Sequence, residues 1–291
     1  MVKPVWLKTR PPAGAKFLAL ERTLQEHRLN TVCTGARCPN VGECWSRGTA
    51  TFMIMGSTCT RNCRFCAVEK GKHGEPLDPS EPARIAQAVE EMKLRYVVLT
   101  SVDRDDLPDG GAGHFAKCIR VLKSPGTGIT VEALIPDFQG NTGSLREVIA
   151  ARPDVVGHNI ETVEGFQAIA RDRRTGYGLS LEVLRNVKLI SSSTCTKSSL
   201  MLGLGETEDM VLKTMGDLKK AEVDIITLGQ YLRPTARQLE VKEYIPPEKF
   251  AYYRDMGEKM GFLSVVSGPL VRSSYMADRS ISFSKLEAFK W

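Results

Sequence analysis

The sequence predicts an α/β fold of six strand–helix units, closed partly or fully into a TIM-like barrel and carrying N- and C-terminal extensions. Three observations carry that expectation. Apolar, β-branched runs recur through the middle of the 291-residue chain. Patterns with helical spacing of apolar residues separate them, and turn or breaker residues bound both. Such repetition implies a parallel sheet with its chemistry at the C-terminal ends of the strands. A doubly wound open sheet is the alternative arrangement.

Strands are expected at Thr51–Met55, Tyr96–Thr100, Ile129–Ile135, Asp154–Asn159, Ser199–Leu204 and Ile225–Gln230, with a further apolar run at Phe262–Val266. Ser80 is placed to cap a helix whose apolar face runs Ile85, Val89, Met92, and Glu206–Ala221 and Pro247–Met260 read as helices too. Polar clusters fall at the expected strand ends: Thr100–Asp103, His158–Glu161 and Leu228–Tyr231. Residues 1–48 and the tail after about Val266 stand outside the alternation, giving an organisation of 1–48, 49–266 and 267–291. Neither extension is long enough for its own core without a metal. The Gly110-Gly111-Ala112-Gly113 run lacks the strand–turn–helix context of a phosphate cradle and reads as a loop.

Composition narrows the classes. Hydrophobic residues make up 42% and charged residues 25%, ordinary values for a chain with a proper core. No apolar run reaches the roughly 20 residues of a membrane span, and the start lacks a secretory signal. The expectation is a soluble cytoplasmic protein. The net charge of +6 suits an acidic partner, but no dense basic block interleaved with aromatics supports nucleic-acid binding.

Six of eight cysteines crowd between Cys33 and Cys66, in the spacings C-x4-C-x5-C and C-x3-C-x2-C. Crowding of this kind in a chain without a secretory signal points to metal rather than disulfides. Cys59, Cys63 and Cys66, in GSTCTRNCRFC, put three thiolates on one short loop after the first strand. Three ligands on a four-iron cluster leave one iron open for a substrate or cofactor. The alternative is zinc with a fourth ligand borrowed from elsewhere, such as His73. Cys33, Cys38 and Cys44, in CTGARCPNVGECW, also supply three ligands, in a spacing unlike zinc ribbons; a structural zinc with a borrowed ligand is again the alternative.

The C-x3-C-x2-C loop with Phe65 before its last cysteine resembles the signature of the radical S-adenosylmethionine (SAM) enzymes. The two triplets together, with TSVDRDDLPDGGA, HNIETV, KSSLMLGLGET, GQYLRPT and VRSSYMA, resemble the lipoyl synthase family over nearly the whole chain. The resemblance implies two [4Fe-4S] clusters and SAM. Cys59, Cys63 and Cys66 would hold the cluster whose open iron binds SAM and yields a 5′-deoxyadenosyl radical. Such a radical can take hydrogen from a C–H bond that no protein base can deprotonate. Cys33, Cys38 and Cys44 would hold an auxiliary cluster, with Ser274 of the R-S-S-Y segment as fourth ligand. Its hard oxygen suits a cluster that is dismantled for sulfur.

The implied reaction inserts two sulfurs at C6 and C8 of a protein-bound octanoyl-lysine. Partners by resemblance are an octanoylated lipoyl carrier protein or domain, an electron donor such as ferredoxin or flavodoxin, and an iron–sulfur carrier for cluster repair. No nucleic acid or membrane partner is expected. Phe65, Ser101, Asn159 and Glu161 are candidates for SAM contacts, with Arg171, Tyr177 and Lys197 as further cofactor or substrate contacts and Arg272 as a neutralising charge beside Ser274. Another radical SAM sulfur-inserting enzyme, such as a tRNA methylthiotransferase, is the alternative within enzymes, although no residues remain for the RNA-binding domain that family adds. A zinc-stabilised binding protein is the alternative outside them. Thr34-Gly35 departs from the acidic residues common in the family, and Cys118 and Cys195 match no family ligand.

Overall fold

The computed structural model describes residues 2–8, 14–46, 51–275 and 277. Parts of the two expected extensions (1, 9–13, 47–48, 276 and 278–291) lie outside the described residues. Two compact units arise, one from the described residues within Thr9–Arg61 and Ala67–Val156, the other from those within Met1–Lys8, Asn62–Cys66 and Gly157–Trp291.

The first unit begins with helices α1 (Ala15–Glu26), α2 (Val32–Gly35) and α3 (Val41–Ser46). Strand β1 (Thr51–Ile54) follows, then the short parallel pair β2 (Thr58–Cys59) and β3 (Glu69–Lys70). Next come α4 (Glu81–Glu91), β4 (Tyr96–Ser101), α5 (Ala112–Leu122), β5 (Thr130–Leu134), α6 (Thr142–Ala150) and β6 (Val155–Gly157), which ends at the boundary. β1, β4 and β5 pair in parallel, Thr51 opposite Val98 and Tyr96 opposite Thr130. Phe52, Ile54, Val97, Val98, Leu99 and Val131 are buried, the continuous apolar reading of strands covered on both faces. Ile85 and Val89 of α4 and Phe115, Ile119 and Leu122 of α5 are buried as well.

Ser80 precedes α4 but does not cap it. Its hydroxyl donates to Asp78 Oδ1 at 2.7 Å, and no backbone N–H of the helix reaches it. Ser80 has helical torsions (φ −89°, ψ −11°), which turn its side chain away from the N–H groups an extended cap residue would face. Met92 closes the helix as its C-cap and is only partly buried.

The second unit contains α7 (Gln167–Ala170), α8 (Tyr177–Ile190), β7 (Cys195–Leu202), α9 (Glu208–Lys220), β8 (Ile225–Gln230), α10 (Pro247–Lys259) and β9 (Ser264–Gly268). β7, β8 and β9 pair in parallel, Lys197 opposite Ile225 and Ile225 opposite Ser264. Their core gathers Leu184, Leu200, Leu202, Met215, Leu218, Ile226, Leu228 and Phe250. In each unit the paired strands lie side by side in chain order, without the reversal that marks a doubly wound sheet. The architecture is mostly parallel α/β, as expected. Among the described residues no helix is long and apolar enough to cross a membrane.

Three elements start two or more residues away from expectation. β7 starts four residues early because Thr196, Lys197 and Ser198 are buried, so their polarity hides a strand. Helix α9 starts at Glu208 because Thr207 caps it, accepting from Met210 N–H at 3.4 Å. β9 starts at Ser264 because Gly261, at φ +83°, ends the preceding turn and Phe262 packs into the core.

Candidate active site

The cysteine loop leaves β1 through two left-handed residues, Met55 (φ +68°) and Gly56 (φ +94°). A carboxylate holds each step of this turn. Glu81 Oε2 accepts from Met55 N–H at 3.0 Å and lies 2.7 Å from His114 Nε2 on α5. Glu75 accepts from Ser57 N–H (3.1 Å), Ser57 Oγ (2.9 Å), Thr58 N–H (3.3 Å) and Thr58 Oγ1 (3.2 Å). A Cβ on Gly56 would fall 2.2 Å from Glu75 Oε2, so the turn needs glycine for space as well as torsion.

Burial raises the Glu75 carboxyl, but the hydrogen bonds from backbone and from Ser57 and Thr58 outweigh it and bring its pKa to about 2. Because the folded value lies below the ordinary 4.5, Glu75 contributes its stability above that pH and loses it as pH falls towards about 2. A denaturation series of wild type against Glu75→Gln should therefore show a gap that is full near neutrality and closes in acid. A gap independent of pH would mean the carboxylate charge does not hold this turn.

Cys59 follows. Its Sγ lies 3.7 Å from Asp103 Oδ2, and Arg61 N–H donates to the same sulfur at 3.5 Å. Thr60 ties the loop to the end of β4, donating through N–H and Oγ1 to Asp103 O at 3.0 and 2.9 Å. The Arg61 side chain is 2% exposed. It forks onto Asp105 at 2.8 and 2.9 Å and onto Asp137 at 2.6 Å twice, with Asp103 at 3.4 Å. Burial opposes its charge, but Asp137 and Asp105 overcome that and hold the guanidinium firmly protonated.

From Asn62 the loop belongs to the second unit. Asn62 N–H donates to Asp172 Oδ2 at 2.8 Å, and Asp172 N–H donates to Cys63 Sγ at 3.4 Å. Arg64 N–H donates to Ala170 O at 2.8 Å, Leu239 N–H to Arg64 O at 3.1 Å, and Gln238 Nε2 to Cys66 O at 3.2 Å. Phe65 packs on Ala170, Leu204 and Tyr231.

The first triplet lies in the first unit. Cys33 is buried in α2, whose N-cap Thr31 accepts from Thr34 N–H at 3.4 Å. The turn after it brings Cys38 N–H to Cys33 O at 2.9 Å, and Cys44 N–H meets Asn40 O at 2.9 Å. Burial pushes the Cys33 thiol up to about 11, against an opposing hydrogen bond from the Thr51 backbone. The adjacent Trp45 is 2% exposed and stacks on Phe17 with ring centroids 5.0 Å apart.

None of the six cysteines is in a disulfide, and backbone N–H groups point at the Cys59 and Cys63 sulfurs, donors of the kind that stabilise thiolate ligands. Cys118 and Cys195 are fully buried and belong to neither set. Cys118 lies with Glu81 and His114, their ligand atoms all within 4.8 Å, but the Glu81 carboxylate is already taken up by Met55 N–H and His114.

A family model described as the radical SAM superfamily matches residues 53–218. A lipoyl synthase of Thermus thermophilus is 54% identical over 95% of this chain and 86% of its own length. One from Marinobacter nauticus is 53% identical over 95% of this chain and 80% of its own.

The chain belongs to the lipoyl synthase family.

A mitochondrial lipoyl synthase of Schizosaccharomyces japonicus is also similar, at 51% identity over 94% of this chain and 74% of its own length. Among solved structures, the hydrogenase maturase HydG of Carboxydothermus hydrogenoformans aligns with TM-score 0.60 at 13% identity, over 73% of this chain and 52% of that one. Methylornithine synthase aligns with TM-score 0.53 at 13% identity, over 84% and 70%. These two share the fold.

The remaining candidates fall in two places. Ser101 ends β4 in the first unit, and its buried Oγ has no hydrogen-bond partner among the described residues. Asn159, Glu161, Arg171 and Lys197 all lie in the second unit. Asn159 Nδ2 donates to Glu161 Oε1 at 3.1 Å, and Glu161 holds φ +67° while exchanging backbone hydrogen bonds with Ser199 and Met201. Arg171, 8% exposed, donates from Nη1 to Ser180 Oγ (2.7 Å) and Gln167 Oε1 (3.3 Å), while its Nε has no partner among the described residues. His158 joins the network through Ser180 Oγ at 3.0 Å and through its N–H on Lys197 O. The Tyr177 hydroxyl donates to Asp217 at 3.1 Å.

Ser274 sits partly buried in the turn that follows Val271. Arg272 fastens that segment to β8, donating from Nη1 to Gln230 O at 3.0 Å. Sequence reasoning missed Arg61, Glu75, Glu81 and Asp172, the residues that hold the cysteine loop. The acidic run Asp103–Asp106 was the available signal for Arg61; nothing local marks the other three.

Proposed function

We propose that this lipoyl synthase divides its chemistry between its two cysteine triplets. Cys59, Cys63 and Cys66 hold the cluster that binds SAM; Cys33, Cys38 and Cys44, with Ser274, hold the auxiliary one. When bound, the first cluster with SAM supplies a 5′-deoxyadenosyl radical and the second supplies sulfur, two atoms of which are inserted at C6 and C8 of a protein-bound octanoyl-lysine. The observation that carries the division is the pair of N–H donors on Cys59 and Cys63 sulfurs, in a loop clamped by Arg61 and Asp172.

The chain's own residues bind and orient. Phe65 offers an apolar surface beside the loop. Asn159 and Glu161, already bonded to each other, present an amide and a carboxylate to polar groups of SAM. Arg171 is a buried cation with a donor to spare, which suits the carboxylate end of SAM. Ser101 offers a buried hydroxyl in the same sense, and Lys197 a buried ammonium. Arg272 lends positive charge beside Ser274. The reading includes an electron donor such as ferredoxin or flavodoxin, an iron–sulfur carrier that rebuilds the auxiliary cluster, and a cytoplasmic setting.

The test supplies octanoylated carrier domain, SAM and a reductant to protein with both clusters rebuilt. The expected product carries two added sulfurs, with deoxyadenosine released. Cys38→Ala should retain SAM cleavage and lose sulfur insertion. Loss of both activities in a folded variant that keeps its other cluster would refute the division of labour.

A further inference from the structure

We infer that Arg64, Arg173 and Arg237 form a docking surface for a carrier domain that is acidic around its octanoyl-lysine. The inference rests on the lipoyl synthase reading and deepens it.

Each arginine sits on a different segment, and the segments are bound to one another. Arg64 occupies the cysteine loop itself, between Cys63 and Cys66. Its N–H donates to Ala170 O at 2.8 Å, and Asn62 N–H donates to Asp172 at 2.8 Å, which fixes the stretch carrying Arg173 against the loop. On the other side Leu239 N–H donates to Arg64 O at 3.1 Å and Gln238 reaches Cys66 O at 3.2 Å, which fixes the stretch carrying Arg237. Three cations are thereby gathered around the loop that bears Cys63 and Cys66.

All three side chains are exposed, and none has a carboxylate partner among the described residues. Their neighbours differ. Arg174 is tied to Asp172 at 2.8 Å, and Arg233 leans on Glu240 at 3.9 Å. Glu240 and Glu243 are exposed on the same stretch, yet Glu240 is shared between Arg233 and Lys242. The rim therefore carries unneutralised positive charge around the cysteine loop.

The chemistry of the substrate explains why charge belongs there. An octanoyl-lysine is a neutral amide on an apolar chain, so nothing on the arm recognises a cation. Attraction has to come from the surface around the modified lysine, which must approach the cysteine loop to within the length of that arm. Complementary charge on such a rim speeds encounter and sets orientation, and exposed arginine is well suited to it.

The experiment uses protein with both clusters rebuilt and dithionite as reductant, so that no protein donor takes part. Two substrates are compared: an octanoylated carrier domain with an acidic face, and a short uncharged octanoyl-lysine peptide. Arg173→Glu with Arg237→Glu should raise KM for the carrier roughly tenfold and flatten its dependence on salt. KM and kcat for the peptide, and KM for SAM, should not change. An unchanged carrier KM would overturn the inference, as would an equal loss on carrier and peptide. It would also fall if a single-stranded RNA of matched charge competed as well as the carrier on the wild type, since the rim would then be a general polyanion site. If the wild type thiolates neither substrate, the lipoyl synthase reading itself has failed.

Discussion

Arg61→Ala should cost this protein the cluster proposed for Cys59, Cys63 and Cys66. The guanidinium is 2% exposed and serves Asp105 and Asp137, whose side chains are 11% and 0% exposed. Removing one partner of a buried ion pair typically costs about 3–5 kcal/mol, because the desolvation of the others is no longer offset. The loss lands on the loop that carries Cys59, since Arg61 N–H also donates to that sulfur. Iron per chain should fall by about half, with the auxiliary cluster retained and no deoxyadenosine formed. Arg61→Lys tests geometry: one ammonium cannot reproduce two forks, so stability should recover in part and cluster retention should stay low. Full iron content in Arg61→Ala would show that the carboxylate clamp does not hold the loop.

Gly229→Ala should separate SAM cleavage from sulfur insertion. A Cβ at this position on β8 would stand 2.0 Å from Val271 O and 2.9 Å from Val271 C, both backbone atoms that cannot rotate away. The segment must shift, and with it Arg272 and the turn holding Ser274, three residues on. Overpacking of this kind typically costs about 1–3 kcal/mol. Displacing a reacting group by about 1 Å can cost on the order of a hundredfold in rate. The expected result is near-normal deoxyadenosine release with sulfur insertion lowered by about that factor. Equal loss of both products would mean that β8 distortion, rather than displacement of Ser274, governs the effect.

Much of the fold was legible because strands covered on both faces read as apolar runs. Tyr96–Ser101 and Ile225–Gln230 match their expected ranges to within a residue. Legibility failed where polarity was buried: Thr196, Lys197 and Ser198 sit inside β7, paired in part with Asp224 and Glu222, and a run of polar residues carries no strand signal. Ser80 failed for a different reason. Cap preference concerns residue type, while capping depends on a backbone torsion that Ser80 does not adopt.

The sequence by itself determined the two cysteine triplets, their spacing and the alternation of strands and helices. These follow from spacing and period, which are local properties of a chain. Only the tertiary structure decided what holds the cysteine loop in shape. Asp105 and Asp137 lie 44 and 76 residues from Arg61, and Asp172 lies 109 residues from Cys63. Such pairings are set by which strand ends the fold brings together. No periodicity encodes them, and a charged residue looks the same in sequence whether it meets solvent or a buried partner.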